Sequence, residues 1–82
     1  MGKIKLLTQM INANKNIRFG DFVALIKAFG FKPIRISGSH HIFEREDVPE
    51  MVNIQNEKGK AKPYQVKQFL LLVEKFNLKM EG

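Results

Sequence analysis

The chain has 82 residues, 44 % hydrophobic and 27 % charged, with no cysteine and a net charge of +6. That length supports one small core. The lack of cysteine excludes disulfide staples, Cys-based zinc sites and a thiol nucleophile, and fits a reducing cytoplasm. No run of ~18 apolar residues is present to span a membrane, and the first residues do not follow the pattern of a secretory leader.

The charge is unevenly spread. Residues 1–37 carry Lys3, Lys5, Lys15, Arg18, Lys27, Lys32 and Arg35 against Asp21 alone. Residues 38–57 carry only Arg45 against Glu44, Glu46, Asp47, Glu50 and Glu57. From residue 58 onward six lysines outnumber Glu74 and Glu81. A pI near 9.9 suggests a polyanionic partner, most often nucleic acid. The competing reading is a basic surface that serves solubility only.

In chain order, Ile4, Leu7, Met10 and Ile11 predict a helix over 3–14, and Asn12, Asn14 and Asn16 read as the connection after it. Phe22, Leu25, Ile26 and Phe29 follow the i, i+3, i+4, i+7 spacing of a second helix. Gly20 is its expected N-cap, Asp21 suits its positive end, and Gly30 supplies a left-handed C′ position. Three strands follow: Lys32–Ser37, His40–Arg45 and Met51–Gln55. Gly38-Ser39 suits a type II′ hairpin turn, and Val48-Pro49-Glu50 reads as a bend. Residues 57–62 read as a loop. Pro63 opens a last helix at the position where its missing N–H costs nothing. Val66, Phe69, Leu70, Val73 and Phe76 form the inner face of that helix, and Leu71 and Leu72 broaden it toward a second packing partner. Tyr64 reads as a packing residue. The expected fold is one α+β domain over 1–82, with helices on one face of a three-stranded antiparallel sheet and an extra N-terminal helix. Its α-β-β-β-α part has the topology of double-stranded-RNA-binding domains.

A two-residue turn at Gly38-Ser39 sets Ser37 opposite His40, Ile36 opposite His41, Arg35 opposite Ile42 and Ile34 opposite Phe43. Strand alternation then puts Ile34, Ile36, His41 and Phe43 on one face, expected to be covered by helices. Arg35, Ser37, His40 and Ile42 take the open face. His41 is therefore expected to be structural and His40 exposed. The meander brings Lys58, Lys60 and Lys62 to the end of the sheet that holds His40, while Glu46, Asp47 and Glu50 lie at the far end. A histidine near cations on an open sheet face suits a phosphodiester. Cations hold the backbone and the imidazole moves a proton. A free imidazole titrates near pH 6.5 and can deprotonate a ribose 2′-OH, so the substrate would be RNA. Arg35 and the loop lysines would hold phosphate charge, and Ser39 with the backbone N–H groups around Gly38 would place it. That chemistry requires no metal, and two adjacent histidines make a poor metal cage. The lysine loop reads equally as a solvated segment or as an RNA clamp.

Gly30-Phe31, the run Ser37-Gly38-Ser39-His40-His41-Ile42-Phe43, and Val52-Asn53-Ile54 together resemble the HicA toxins of toxin–antitoxin pairs. The resemblance covers roughly residues 19–78. It implies a double-stranded-RNA-binding-like fold and a metal-independent, cofactor-free mRNA endoribonuclease. The essential histidine directly after Gly-Ser maps to His40. A HicB-type antitoxin is the implied protein partner. The chain departs from the shorter members in its N-terminal helix and its longer C-terminal helix. The alternative function is a non-catalytic double-stranded-RNA-binding module.

Overall fold

A computed structural model describes Leu7, Ile11, Asn12 and residues 15–80. Of the helix expected over 3–14, only Leu7, Ile11 and Asn12 are described, each of them helical; the remainder of that expectation lies outside the described residues. The elements that follow are α1 (Phe19–Ala28), β1 (Lys32–Ser37), β2 (His40–Arg45), β3 (Val48–Glu57), β4 (Lys60–Ala61) and α2 (Pro63–Lys75). The strands form one antiparallel sheet in the order β1-β2-β3-β4. The fold is α+β and agrees with the expected α-β-β-β-α topology, with a short fourth strand added. No helix among the described residues is long and apolar enough to cross a membrane.

α1 starts earlier than its sequence suggested. Arg18 is the N-cap and Gly20 lies inside the first turn. Two contacts fix the earlier start. The Phe19 N–H donates to the Gly59 carbonyl at 2.9 Å, and the Phe19 ring, buried, packs edge-on against His41 with centroids 4.7 Å apart. The helix ends as expected at Gly30, whose φ is +88°. Gly30 N–H bonds to the Lys27 carbonyl and Phe31 N–H to that of Ile26, which is a Schellman motif. α2 closes the same way, with Asn77 (φ +51°) donating to Glu74 and Leu78 donating to Val73. Pro63 occupies the first turn of α2 as the sequence predicted.

Phe69 of α2 sits at the centre of the core. Its ring meets Phe22, Phe29 and Phe31 edge-on, at centroid separations of 5.8, 5.7 and 5.7 Å. Such pairs contribute ~0.5–1.5 kcal/mol each beyond area burial. Phe43 of β2 and Val48, Val52 and Ile54 of β3 complete the sheet side of that core. Leu70, Val73 and Phe76 pack around it, half-buried. Leu72 does likewise, but Leu71 is 56 % exposed and does not extend the packed face.

The sheet departs from expectation in three places. First, the β2–β3 turn falls at Glu46-Asp47, so Val48-Pro49-Glu50 belongs to β3 rather than to a bend. Val48 anchors that start because its side chain is buried. Second, residues 57–62 are a hairpin and not a loop: Glu57 pairs with Lys60 and Asn56 with Ala61. Ala61 is buried, and its N–H donates to the Ile17 carbonyl at 2.9 Å, so the short strand is held on both sides. Third, β1 carries a bulge. Pro33 rather than Ile34 lies opposite Phe43, and the register shifts between Pro33 and Arg35. Ile34 and Ile36 were expected beneath the helices, yet they are 44 % and 65 % exposed. The physical reason is that β1 is an edge strand. The buried sheet residues all lie on β2, β3 and β4, and all six residues of β1 are exposed. A proline and a bulge both suit an unpaired edge.

Candidate functional site

The register of the strands fixes what the open face presents. From Gly38-Ser39 the pairs run Ser37↔His40, Ile36↔His41 and Arg35↔Ile42, as the two-residue turn required. Gly38 has φ +60° and Ser39 does not share the positive sign, the combination a type II′ turn needs. On the other side His40 lies opposite Gln55, and Ile42 opposite Asn53. Two rows therefore cross the sheet on the face away from the helices: Ser37–His40–Gln55 and Arg35–Ile42–Asn53.

His40 is exposed and His41 half-buried against Phe19. Alternation along β2 separates the two rings to opposite faces. Arg35, Ser37, Gly38 and Ser39 are all exposed beside His40 in this two-row patch. The His40 ring makes one side-chain polar contact among the described residues: its Nδ1 lies 3.4 Å from Asn53 Oδ1. Asn53 was not singled out from sequence. The signal that would have found it is the β2–β3 register, which the misplaced bend at 48–50 concealed.

The lysines lie beyond this patch at the same end of the sheet. Glu57 is two residues past Gln55 on the same face, a step of about 7 Å, and Lys60 is its partner across the β3–β4 hairpin. Lys58 and Gly59 form the turn, with φ of +52° and +86°. Two of the three lysines are engaged. Lys60 Nζ donates to Asn16 Oδ1 at 3.1 Å, and Lys62 Nζ sits 3.6 Å from Glu57 Oε2. Lys62 also stands 5.9 Å over the Tyr64 ring. Among the described residues, neither Arg35 nor Lys58 forms an ion pair. Tyr64 is 55 % exposed, against the expectation that it packs. Its hydroxyl is near Gln65 Nε2, at 3.4 Å.

One buried polar side chain supports the floor of this face. β4 pairs only with Asn56 and Glu57 of β3, so the outward N–H of Gln55 has no strand to bond. Gln65, 8 % exposed in the first turn of α2, fills the gap: its Oε1 accepts from Gln55 N at 2.8 Å. A second bond holds the turn itself, as Asn56 N donates to the Ser39 carbonyl at 2.9 Å. The strand opposite His40 and the turn preceding it are therefore pinned by separate hydrogen bonds.

At the far end of the sheet Arg45 takes a structural role. Its guanidinium donates to the Phe29 carbonyl at 2.7 Å and to Asp47 at 2.6 Å. The positive charge in the acidic segment is thus spent on closing α1 and the β2–β3 turn.

A family model described as the HicA toxin of bacterial toxin–antitoxin matches residues 19–74, from the first residue of α1 almost to the end of α2. The chain belongs to the HicA toxin family. It is therefore a toxin of a toxin–antitoxin system, and family membership brings with it an antitoxin partner and an RNA substrate in general terms. The match takes in the whole of the sheet and the open face of this HicA toxin, His40 included. No curated protein and no solved structure matches the chain.

Proposed function

We propose that this HicA toxin is a metal-independent endoribonuclease acting on mRNA, with His40 as its general acid–base. The observation that carries the reading is the outward-facing imidazole at the head of β2, exposed and held by Asn53 on a rigid sheet row. His40 removes the proton of a ribose 2′-OH. The freed oxygen attacks the adjacent phosphorus, the P–O5′ bond breaks, and the 5′ oxygen leaves with a proton returned by the imidazolium. The products are a 2′,3′-cyclic phosphate and a 5′-hydroxyl.

Arg35, one sheet row away, and Lys58, Lys60 and Lys62 beyond the turn supply the charges that hold the RNA backbone. Gly38 and Ser39 supply the turn against which a phosphate rests. Lys58 adds a further argument. A lysine at φ +52° occupies a conformation that asparagine or glycine adopts at less cost, as expected where a cation at the hairpin tip serves binding and not folding. A HicB-type antitoxin that covers this face with acidic groups would suit its charge, and the cytoplasm is where toxin, antitoxin and message meet.

The test is cleavage of RNA by purified protein in chelator, comparing the parent with His40→Ala. The proposal expects the parent to cut and the variant to lose at least about a hundredfold, the lower range for a general acid–base. Equal cleavage by both would remove His40 from the chemistry. RNA retained by the parent without scission would identify a binding module instead.

A further inference from the structure

The neutral imidazole has two tautomers, and the atom left unprotonated is the one able to act as a base. At His40 the neighbour of Nδ1 is Asn53 Oδ1, 3.4 Å away. An amide oxygen only accepts. A ring that bonds to it must carry its proton on Nδ1, and the lone pair is then on Nε2. From this we infer that Asn53 is a positioning residue that fixes His40 as the Nδ1–H tautomer and directs Nε2, free, into solvent where the RNA 2′-OH would approach. The inference rests on the reading of His40 as the catalytic base, but its structural content does not depend on cleavage.

The surrounding structure favours this assignment. Asn53 is paired across the sheet with Ile42, directly beside the His40–Gln55 pair on the same face. It therefore reaches the ring diagonally across neighbouring strands, a reach of ~7–8 Å between backbones that side chains of this length bridge. Its backbone is held in the centre of β3, the longest strand of the sheet, hydrogen-bonded to β2. The ring's other neighbours on the face offer no competing acceptor at Nδ1: Gln55 lies opposite and Ser37 on the other side, and neither bonds to it. An imidazole on an exposed surface would otherwise rotate freely about both side-chain torsions. One hydrogen bond from a rigid strand removes that freedom and selects the tautomer together.

The experiment reads the ring directly. Nitrogen-15 NMR of the two imidazole nitrogens in the full chain, at a pH where the ring is neutral, distinguishes Nδ1–H from Nε2–H. The parent is expected to show His40 mainly as Nδ1–H. Asn53→Ala is expected to shift the population toward Nε2–H and to lower RNA cleavage by up to about tenfold, the size of one neutral hydrogen bond. Asn53→Asp keeps an acceptor oxygen in the same place and is expected to retain the Nδ1–H tautomer. A role in packing alone would leave the tautomer unchanged in all three proteins. A His40 ring found as Nε2–H in the parent would overturn the inference, as would an Asn53→Ala ring unchanged from the parent. The reading of His40 as the base fails separately: if His40→Ala cleaves RNA like the parent, that reading is lost while the NMR result still decides the role of Asn53.

Discussion

The bond from Gln55 N–H to Gln65 Oε1 gives a stability prediction whose size follows from the structure. Gln65→Met keeps the length of the side chain and removes the acceptor. Since the pairing of β3 with β4 stops at Asn56, nothing else within the sheet takes the Gln55 N–H. Leaving a buried donor unpaired costs ~1–3 kcal/mol. Gln55 is half-buried, so water recovers part of that, and the expected loss is about 1–2 kcal/mol. For a domain of this size that lowers Tm by roughly 5–15 °C. Chemical denaturation should show a lower midpoint with an unchanged slope, the sign of altered stability without altered compactness. Hydrogen exchange at the Gln55 amide should accelerate more than at Asn56, whose N–H bonds instead to the Ser39 carbonyl. Gln65→Glu retains an acceptor oxygen and should lose less than Gln65→Met. A Gln65→Met protein within about 0.3 kcal/mol of the parent, with the Gln55 amide still protected, would refute the claim that this side chain substitutes for the missing strand.

Other predictions follow from the same structure. Phe69→Ala removes a ring that three other phenylalanines contact and should cost ~3–5 kcal/mol, enough to leave the domain largely unfolded by circular dichroism; Phe69→Leu should lose less and remain folded. Arg45→Met abandons the Phe29 carbonyl and Asp47 together and should destabilise by about 1–2 kcal/mol, read as a lower denaturation midpoint, with RNA binding by the folded protein unaffected. Lys58→Asn relieves the left-handed backbone at the hairpin tip and should stabilise by ~0.5–1 kcal/mol. If Lys58 meets a phosphate, the same change should reduce the salt dependence of RNA affinity by about one unit of slope. Greater stability with an unchanged salt slope would assign Lys58 to the turn alone.

The elements legible in the sequence were those written in local patterns. The apolar spacing of α1, the glycine at its end, Pro63 at the start of α2 and the Gly38-Ser39 turn all formed as their chemistry dictates. From that turn alone, the separation of His40 and His41 to opposite faces followed correctly. What escaped the sequence depends on long-range pairing. The bulge at Ile34 and the exposure of Ile34 and Ile36 come from β1 standing at the sheet edge, where the helices do not reach. Lys60-Ala61 is a strand because residues 17–19 and β3 bond to it from both sides, and nothing within two residues announces this. Asn53 and Gln65 matter through partners 13 and 10 residues away in the chain. Charge was the least legible part of the site. The lysines were placed at the correct end of the sheet, yet Glu57 pairs with Lys62 and Asn16 holds Lys60, so among the described residues Arg35 and Lys58 are cations at this end with neither an ion pair nor a side-chain hydrogen bond.

The central claim is that the exposed imidazole of His40 activates a ribose hydroxyl. Its most direct measurement is the chemical identity of the ends left on a short synthetic RNA cut by the purified toxin in the presence of chelator. The account predicts a 2′,3′-cyclic phosphate on one fragment and a 5′-hydroxyl on the other, and resistance of the RNA when a 2′-deoxyribose is placed at the cleaved position. Fragments carrying 5′-phosphates, or undiminished cleavage of the 2′-deoxy substrate, would contradict it.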